Sequence, residues 1–309
     1  MIIDRLKAYA NSMPENTHPK SEFRMSSAGD CPRKLDYEFQ LGAKPIDSKS
    51  YFRMSLGHAS HNFLRDLLSN CLGSDFHSAE EEIKAILPSG QVITGHPDGR
   101  IESLNTTLEI KSVSDSTFTM IQNDNKPIDA HIDQANMYAA VQRDENVLIL
   151  YANRDSGEMT EFMFPTSPEL FARSFEKFKS VEENKKAGVI RPRPYSNAQE
   201  SPCWFCPWKD KCYEGFEKEV SQFKTEVFDG ERNQLIVNTS IAAIKYRTDR
   251  LVASKLEEEA KQYVGKFLYD SQINKAEIRH ANGIIDVNIS VGKNNNLLPN
   301  LKERKANGK

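Results

Sequence analysis

The stretch from Val92 to Ser112 constrains this chain most, because two strand patterns there carry three ionisable groups toward one place. Val92–Gly95 reads as a strand entering Pro97-Asp98-Gly99; Arg100–Glu102 continues it, Ser103-Leu104-Asn105 turns, and Thr107–Lys111 returns. Side chains of a strand alternate faces, so Glu109 and Lys111 point the same way with Ile110 buried behind them. Asp98, at the end of the preceding strand, then falls beside Glu109, and two acids and a lysine meet at a sheet edge. Carboxylate oxygens are ligands for Mg2+ or Mn2+. A lysine beside such an ion can orient or deprotonate a water and offset negative charge developing on a phosphate. A Glu-x-Lys pair also occurs on surface hairpins that do no chemistry.

The flanking patterns predict an α/β fold, a central mixed sheet flanked by helices. Ile2–Asn11 reads as a short helix, and Ser26 and Ser27 as N-caps of a helix reaching about Gln40. Arg53–Cys71 is expected to be amphipathic, with Leu56, Phe63, Leu64, Leu67, Leu68 and Cys71 in one stripe and Gly73 as its stop. Glu80–Leu87, Val147–Ala152 and Glu161–Phe164 read as strands, Asp129–Gln142 as a helix, and Pro168 as the start of a helix to about Lys186. His61 offers a metal-ligating imidazole on the Arg53–Cys71 helix, with His58 one turn away as its competitor. Gln134 and Tyr138 share a helix face at i, i+4.

Bulk charge offers no support for a polyanionic partner: 41 Lys+Arg stand against 44 Asp+Glu, net −3. No long apolar run or signal-peptide pattern is found, so the expectation is a cytoplasmic protein with no membrane contact. The phosphate-loop pattern of ATP-driven motors is absent. Cys203, Cys206 and Cys212 form a three-thiol clip, with Cys31 as a distant fourth. Four soft thiolates suit zinc or an iron–sulfur cluster, and spacing does not choose between them. The fifth, Cys71, reads as a buried, inert thiol on its apolar stripe.

Gly57-x3-His61, Pro97-Asp98, Glu109-x-Lys111 and Gln134-x3-Tyr138, in that order, resemble the motifs of RecB-like nucleases of the PD-(D/E)XK superfamily, over roughly Ser26 to Cys212. The resemblance implies a restriction-endonuclease-like core. His61, Asp98, Glu109 and the backbone carbonyl of Ile110 would hold the metal, Lys111 would serve the attacking water, and Gln134 and Tyr138 would act near DNA. The cysteine arrangement, with Ser26-x4-Cys31-x-Arg33 and Tyr37, is similar to that of CRISPR-associated RecB-like nucleases and AddB. It implies a structural 4Fe–4S staple on Cys31, Cys203, Cys206 and Cys212, with zinc as the alternative, and Arg33, Tyr37 and Ser112 at the DNA.

The expected division is residues 1–25 as a helix and loop, 26–215 as the nuclease core with the cysteines, and 216–309 as a C-terminal helical appendage. That appendage comprises a charged helical stretch Ile241–Asp270, a hairpin Ala276–Val291 turning at Asn282-Gly283, and a frayed basic tail Leu301–Lys309. Lys34, Arg53, Lys185, Lys186, Arg191 and Arg193 are candidates to follow phosphates, and Trp204 and Phe205 to pack around the cluster. The expected function is a metal-dependent exonuclease at DNA ends, in viral or mobile-element recombination and repair, served by a separate helicase or annealing protein, with homo-oligomerisation open. The alternatives are an endonuclease or spacer-processing enzyme of the same fold, and a non-catalytic, metal-stapled DNA-binding module.

Overall fold

The computed structural model describes residues 2–12, 22–42, 47–198, 200–229, 233–248, 253–280, 283–292 and 297–304. Two compact units are present, Met1–Arg191 and Pro192–Lys309.

The first unit contains, in chain order, α1 (Ile2–Ser12), β1 (Phe23–Arg24), α2 (Pro32–Leu41), α3 (Ser48–Leu72), β2 (Phe76–His77), β3 (Ile83–Ile86), β4 (Val92–Gly95), β5 (Gly99–Ile101), β6 (Thr106–Val113), α4 (Asp115–Asp124), α5 (Asp129–Gln142), β7 (Asn146–Asn153), β8 (Met159–Pro165) and α6 (Pro168–Ala187). A five-stranded mixed sheet runs β2-β5-β6-β7-β8. Only β6 and β7 in it are parallel, with Glu109 opposite Ile149 and Lys111 opposite Tyr151. Alternation along β6 sorts its side chains. Leu108 and Ile110 join Leu64 of α3, Phe76, Ile101 and Leu148 on one side. Val113 joins Phe118 of α4, Ala135 and Ala139 of α5, and Ile149 and Tyr151 on the other. The sheet is thus covered on both faces, the α/β arrangement read from the sequence.

Three expectations change here. The acid–lysine strand is central rather than an edge, because β6 is paired on both sides. Val92–Gly95 does not continue into Arg100–Glu102 within one sheet: β4 lies in a second, three-stranded sheet β1-β4-β3, and the chain changes sheets through His96-Pro97-Asp98. Ser26 and Ser27 lie in a short 3-10 turn, and the helix begins at Pro32 behind Cys31. Proline at the first helical position needs no amide partner and so sets that start.

Helix α3 also departs from its reading. Only Leu64 of the expected stripe is buried, Leu68 is half-buried, and Leu56, Phe63 and Leu67 are exposed. Cys71 is exposed as well, not buried. The helix has two apolar faces, and reading them as one stripe placed Cys71 on the wrong side.

The second unit contains α7 (Ser201–Trp204), α8 (Lys209–Cys212), α9 (Phe216–Ser221), β9 (Lys224–Asp229), α10 (Gln234–Thr248), α11 (Ala253–Asp270), β10 (Ile273–His280), β11 (Gly283–Val291) and β12 (Leu297–Arg304). Its sheet runs β12-β11-β10-β9, and Ile236, Val237, Val264 and Leu268 of the two long helices share a core with Ile278, Ile285 and Leu301. The part expected as a helical appendage is therefore a sheet with helices against it. The expected hairpin is present, with His280 opposite Gly283; Asn282 of its turn lies outside the described residues. Leu301–Arg304 completes β12 instead of fraying, because Leu301 is 1% exposed; residues 305–309 lie outside the described residues. Among the described residues no helix is long and apolar enough to cross a membrane.

Candidate active site

Asp98 is the hinge of the site. It sits at the change of sheet, and its side chain replaces a missing rung of β5. Beyond the Gly99–Leu108 pair, the Ile110 amide donates to Asp98 Oδ2 at 2.8 Å. Glycines on both sides of this turn permit the close packing. A Cβ at Gly95 would lie 2.6 Å from Tyr138 Cε1, and one at Gly99 would collide with the ring of Phe76. From α3, His61 Nδ1 lies 3.0 Å from Asp98 Oδ1, and Arg65 Nη1 donates to the same oxygen at 2.8 Å. His61 and Arg65 are one turn apart and so reach it together. Burial alone would raise the Asp98 pKa. The His61 hydrogen bond and charge, the Ile110 amide and Lys111 outweigh it and leave that carboxyl below its ordinary value.

Glu109 and Lys111 point to the α5 side of the sheet. Lys111 Nζ lies 2.5 Å from Glu109 Oε1 and donates to Gln134 Oε1 at 2.9 Å; Gln134 Nε2 donates to Tyr138 Oη at 3.3 Å. Glu109 is 2% exposed, and that burial, with the neighbouring Asp98 charge, raises its pKa to about 7 against the pull of Lys111. The Tyr138 hydroxyl is pushed above its ordinary pKa, by burial first and then by the Glu109 charge, so it stays neutral. The structure therefore brings His61, Asp98, Glu109, Lys111, Gln134 and Tyr138 together. Ile110 is fully buried with its backbone against Asp98, Ser112 is half-buried one residue beyond Lys111, and His58 is exposed.

Three residues belong to this site that sequence reasoning missed. Arg65 joins Asp98 to Glu80 and also donates to Asn62 Oδ1 at 2.5 Å. Its place four residues after His61 was a readable signal. Glu80, in a run of acids, carried none; its amide donates to the Pro97 carbonyl at 2.9 Å, in a left-handed backbone. His131 lies three residues before Gln134. The Ile128 amide donates to Tyr151 Oη at 3.1 Å, and that hydroxyl lies in hydrogen-bond contact with His131 Nδ1 at 2.9 Å. Burial, then the charge of Lys111, lowers the His131 pKa to about 3, so the ring is neutral.

Among the described residues no three of His, Cys, Asp and Glu are gathered as ready metal ligands. Arg65 and Lys111 hold the two carboxylates instead. The donor chemistry, two buried carboxylates with an imidazole 3.0 Å from one of them, nevertheless suits a hard divalent cation.

The cysteines divide between the units. Cys31 caps α2 in the first. In the second, Cys203 is buried and Cys206 and Cys212 are half-buried on short turns, and none of the four forms a disulfide. Burial, then the nearby Cys203 and Cys212 thiols, pushes the Tyr213 hydroxyl pKa up, so these two cysteines flank one group. Trp204 and Phe205 are exposed, 54% and 81%, rather than packed. Arg33 donates to the Arg191 carbonyl at 2.7 Å and to Tyr37 Oη at 2.9 Å, and Tyr37 is 5% exposed. Arg193 is engaged with Glu219, Tyr269 and the Cys212 carbonyl.

No protein-family model and no curated protein matches this sequence. Solved structures show distant likeness. SSO0001 is 18% identical, with a TM-score of 0.47, over 67% of this chain and 94% of that one. LHK-Exo, an alkaline exonuclease from Laribacter hongkongensis solved with dAMP, is 14% identical, with a TM-score of 0.43, over 60% of this chain and 93% of that one. A phage-related exonuclease from Haemophilus somnus 129PT is 12% identical, with a TM-score of 0.38, over 54% of this chain and 94% of that one. At these identities and scores, no property of those proteins carries over to this chain.

Proposed function

We propose that this chain is a metal-dependent deoxyribonuclease acting at DNA ends. One observation carries the reading: side chains from α3, β6, α5 and the β4–β5 turn meet around two buried carboxylates, Asp98 and Glu109, which face side-chain cations and hydrogen-bond donors. Asp98, Glu109, His61 and the Ile110 carbonyl would hold Mg2+ or Mn2+. Bound there, the ion stabilises charge on the scissile phosphate and acidifies a water. An ammonium has three hydrogens; Glu109 and Gln134 occupy two on Lys111, and the third would hold the attacking water. Gln134 keeps Lys111 in place, and Tyr138 keeps Gln134.

Linear DNA labelled separately at each end, incubated with Mg2+ or Mn2+ beside closed circular DNA, tests this reading. Loss of linear DNA with circles spared is the expected result, and the label lost first gives the polarity. Cleaved circles would convert the same site to an endonuclease. No cleavage under either metal would leave a DNA-binding module.

A pH dependence follows from Glu109. Cation binding requires its carboxylate form, and its pKa is about 7. Below that value, affinity for Mn2+ should fall by roughly tenfold per pH unit, about a hundredfold between pH 7 and pH 5, and it should level off at higher pH. Calorimetric titration of Mn2+ across this range measures it. A flat profile would remove Glu109 from the ligand set.

We assign Cys31, Cys203, Cys206 and Cys212 to a structural 4Fe–4S cluster. Cysteines that form no disulfide, two of them beside Tyr213, support it. Protein prepared without oxygen should contain iron and acid-labile sulfide in equal amounts; stoichiometric zinc instead would identify a zinc staple.

A further inference from the structure

The outer face of α3 points to self-association: we propose that two copies of this chain pair through antiparallel α3 helices, about a two-fold axis at Ala59–Ser60. The proposal is independent of the nuclease reading.

At 3.6 residues per turn, Phe52, Leu56, Phe63 and Leu67 fall along one line, about half a turn round the helix from His61 and Arg65. They are 37%, 64%, 61% and 45% exposed, while Leu64, about a quarter turn round the helix from that line, is 5% exposed. A helix in the first unit thus keeps one apolar face in the core and shows another to solvent. Such a contiguous patch on a charged, soluble surface marks an interface more often than an accident.

The occupant follows from the order of the residues. The line reads aromatic, leucine, small pair, aromatic, leucine: Phe52, Leu56, Ala59-Ser60, Phe63, Leu67. Counted outward from the midpoint between residues 59 and 60, Leu56 and Phe63 stand at equal distances, and so do Phe52 and Leu67. An isologous contact must be self-complementary about its axis. Antiparallel copies set Leu56 against Phe63 of the second copy and Phe52 against Leu67 of the second copy. A large aliphatic group meets an aromatic one at every step. Ala59 and Ser60 lie at the crossing, where small side chains let two helices approach. Ser60 Oγ is already turned back onto the Leu56 carbonyl at 3.0 Å, so its hydroxyl needs no partner across the seam.

Area sets the strength. At the exposures above, with about 150–200 Å2 for each full side chain, the four residues present roughly 300–400 Å2 per copy. A standard stable interface takes about 800 Å2 per partner. The pair is therefore a reversible dimer that forms on concentration, rather than an obligate one. Because His61 and Arg65 lie on the far side of α3, dimerisation leaves the site open.

Sedimentation velocity on the full chain, from about 1 to 200 µM, tests the proposal. The expected result is a shift from monomer to dimer across this range. Leu56→Glu and Phe63→Glu should each weaken dimerisation at least tenfold, with circular dichroism unchanged. Ser60→Cys provides a positional test: cysteines at the axis should cross-link under mild oxidation. Cys71, about 17 Å along the helix from that axis, should not give this product in the parent chain. A monomer at every concentration, or dimers that survive both glutamates, would overturn the proposal; so would failure of Ser60→Cys to cross-link at concentrations where dimer is present.

Discussion

Lys111→Ala should reduce the initial rate of DNA end degradation by about 10²–10⁴-fold, the range for loss of a positioned proton-transfer group. The ammonium is the junction of the site, 2.5 Å from Glu109 Oε1 and 2.9 Å from Gln134 Oε1. Removing it takes away the cation paired with Glu109 and leaves the Gln134 carbonyl without its donor. The fold should survive, because Glu109 already has a pKa of about 7 and can take up a proton once its partner is gone. Arginine keeps the charge but spreads it over a planar fork, so Lys111→Arg should recover little of the rate. End-labelled linear DNA with excess Mg2+ or Mn2+ gives the rates, and circular dichroism checks the fold. A variant keeping more than a tenth of the parent rate would remove Lys111 from the chemistry.

Asp36→Ala should destabilise the first unit by about 3–5 kcal/mol, the cost of stranding one member of a buried ion pair. Asp36 is fully buried. It accepts from Arg191 Nε at 2.6 Å and Nη2 at 2.9 Å, from the Arg191 amide at 3.1 Å, and from Asn184 Nδ2 at 3.2 Å. These bonds tie α2 to the end of α6 and to the last residue of the unit. Without the carboxylate, the guanidinium keeps Ser180 Oγ, at 3.2 Å. In urea, the transition of the first unit should move down by roughly 1–2 M. A shift smaller than about 0.3 M would mean that water enters and solvates Arg191 readily.

Much of the site was legible because its chemistry is local in sequence. Glu109 and Lys111 need only strand alternation, and Gln134 and Tyr138 need only one helical turn. Asp129–Gln142 and Val92–Gly95 have the predicted ends. What escaped depends on contacts between distant segments. Glu80 reaches the site through Arg65 and through the Pro97 carbonyl, each some fifteen or more residues away in sequence. Strand β9 was missed because its parallel partner β10 follows it only after two helices. Pro97 looked like part of a hairpin, yet it carries the chain from one sheet to another, a change that no periodicity records. Helix α4 was passed over because only Phe118 and Ile121 of its residues are buried. In α3, two apolar faces on one helix blurred the period that would have shown which leucines face the core.

The two glycines beside Asp98 bear on how variants of this chain would be ranked by a functional screen. Any side chain at Gly95 or Gly99 must displace the ring of Tyr138 or of Phe76. Either displacement should disturb the turn that holds the Asp98 carboxylate on the Ile110 amide. A saturation library scored by activity alone would therefore rank both positions with the acids and the lysine, although neither glycine has an atom to offer a substrate. Scoring abundance beside activity separates the groups: losses at Lys111 should leave the protein plentiful, and losses at the glycines should deplete it.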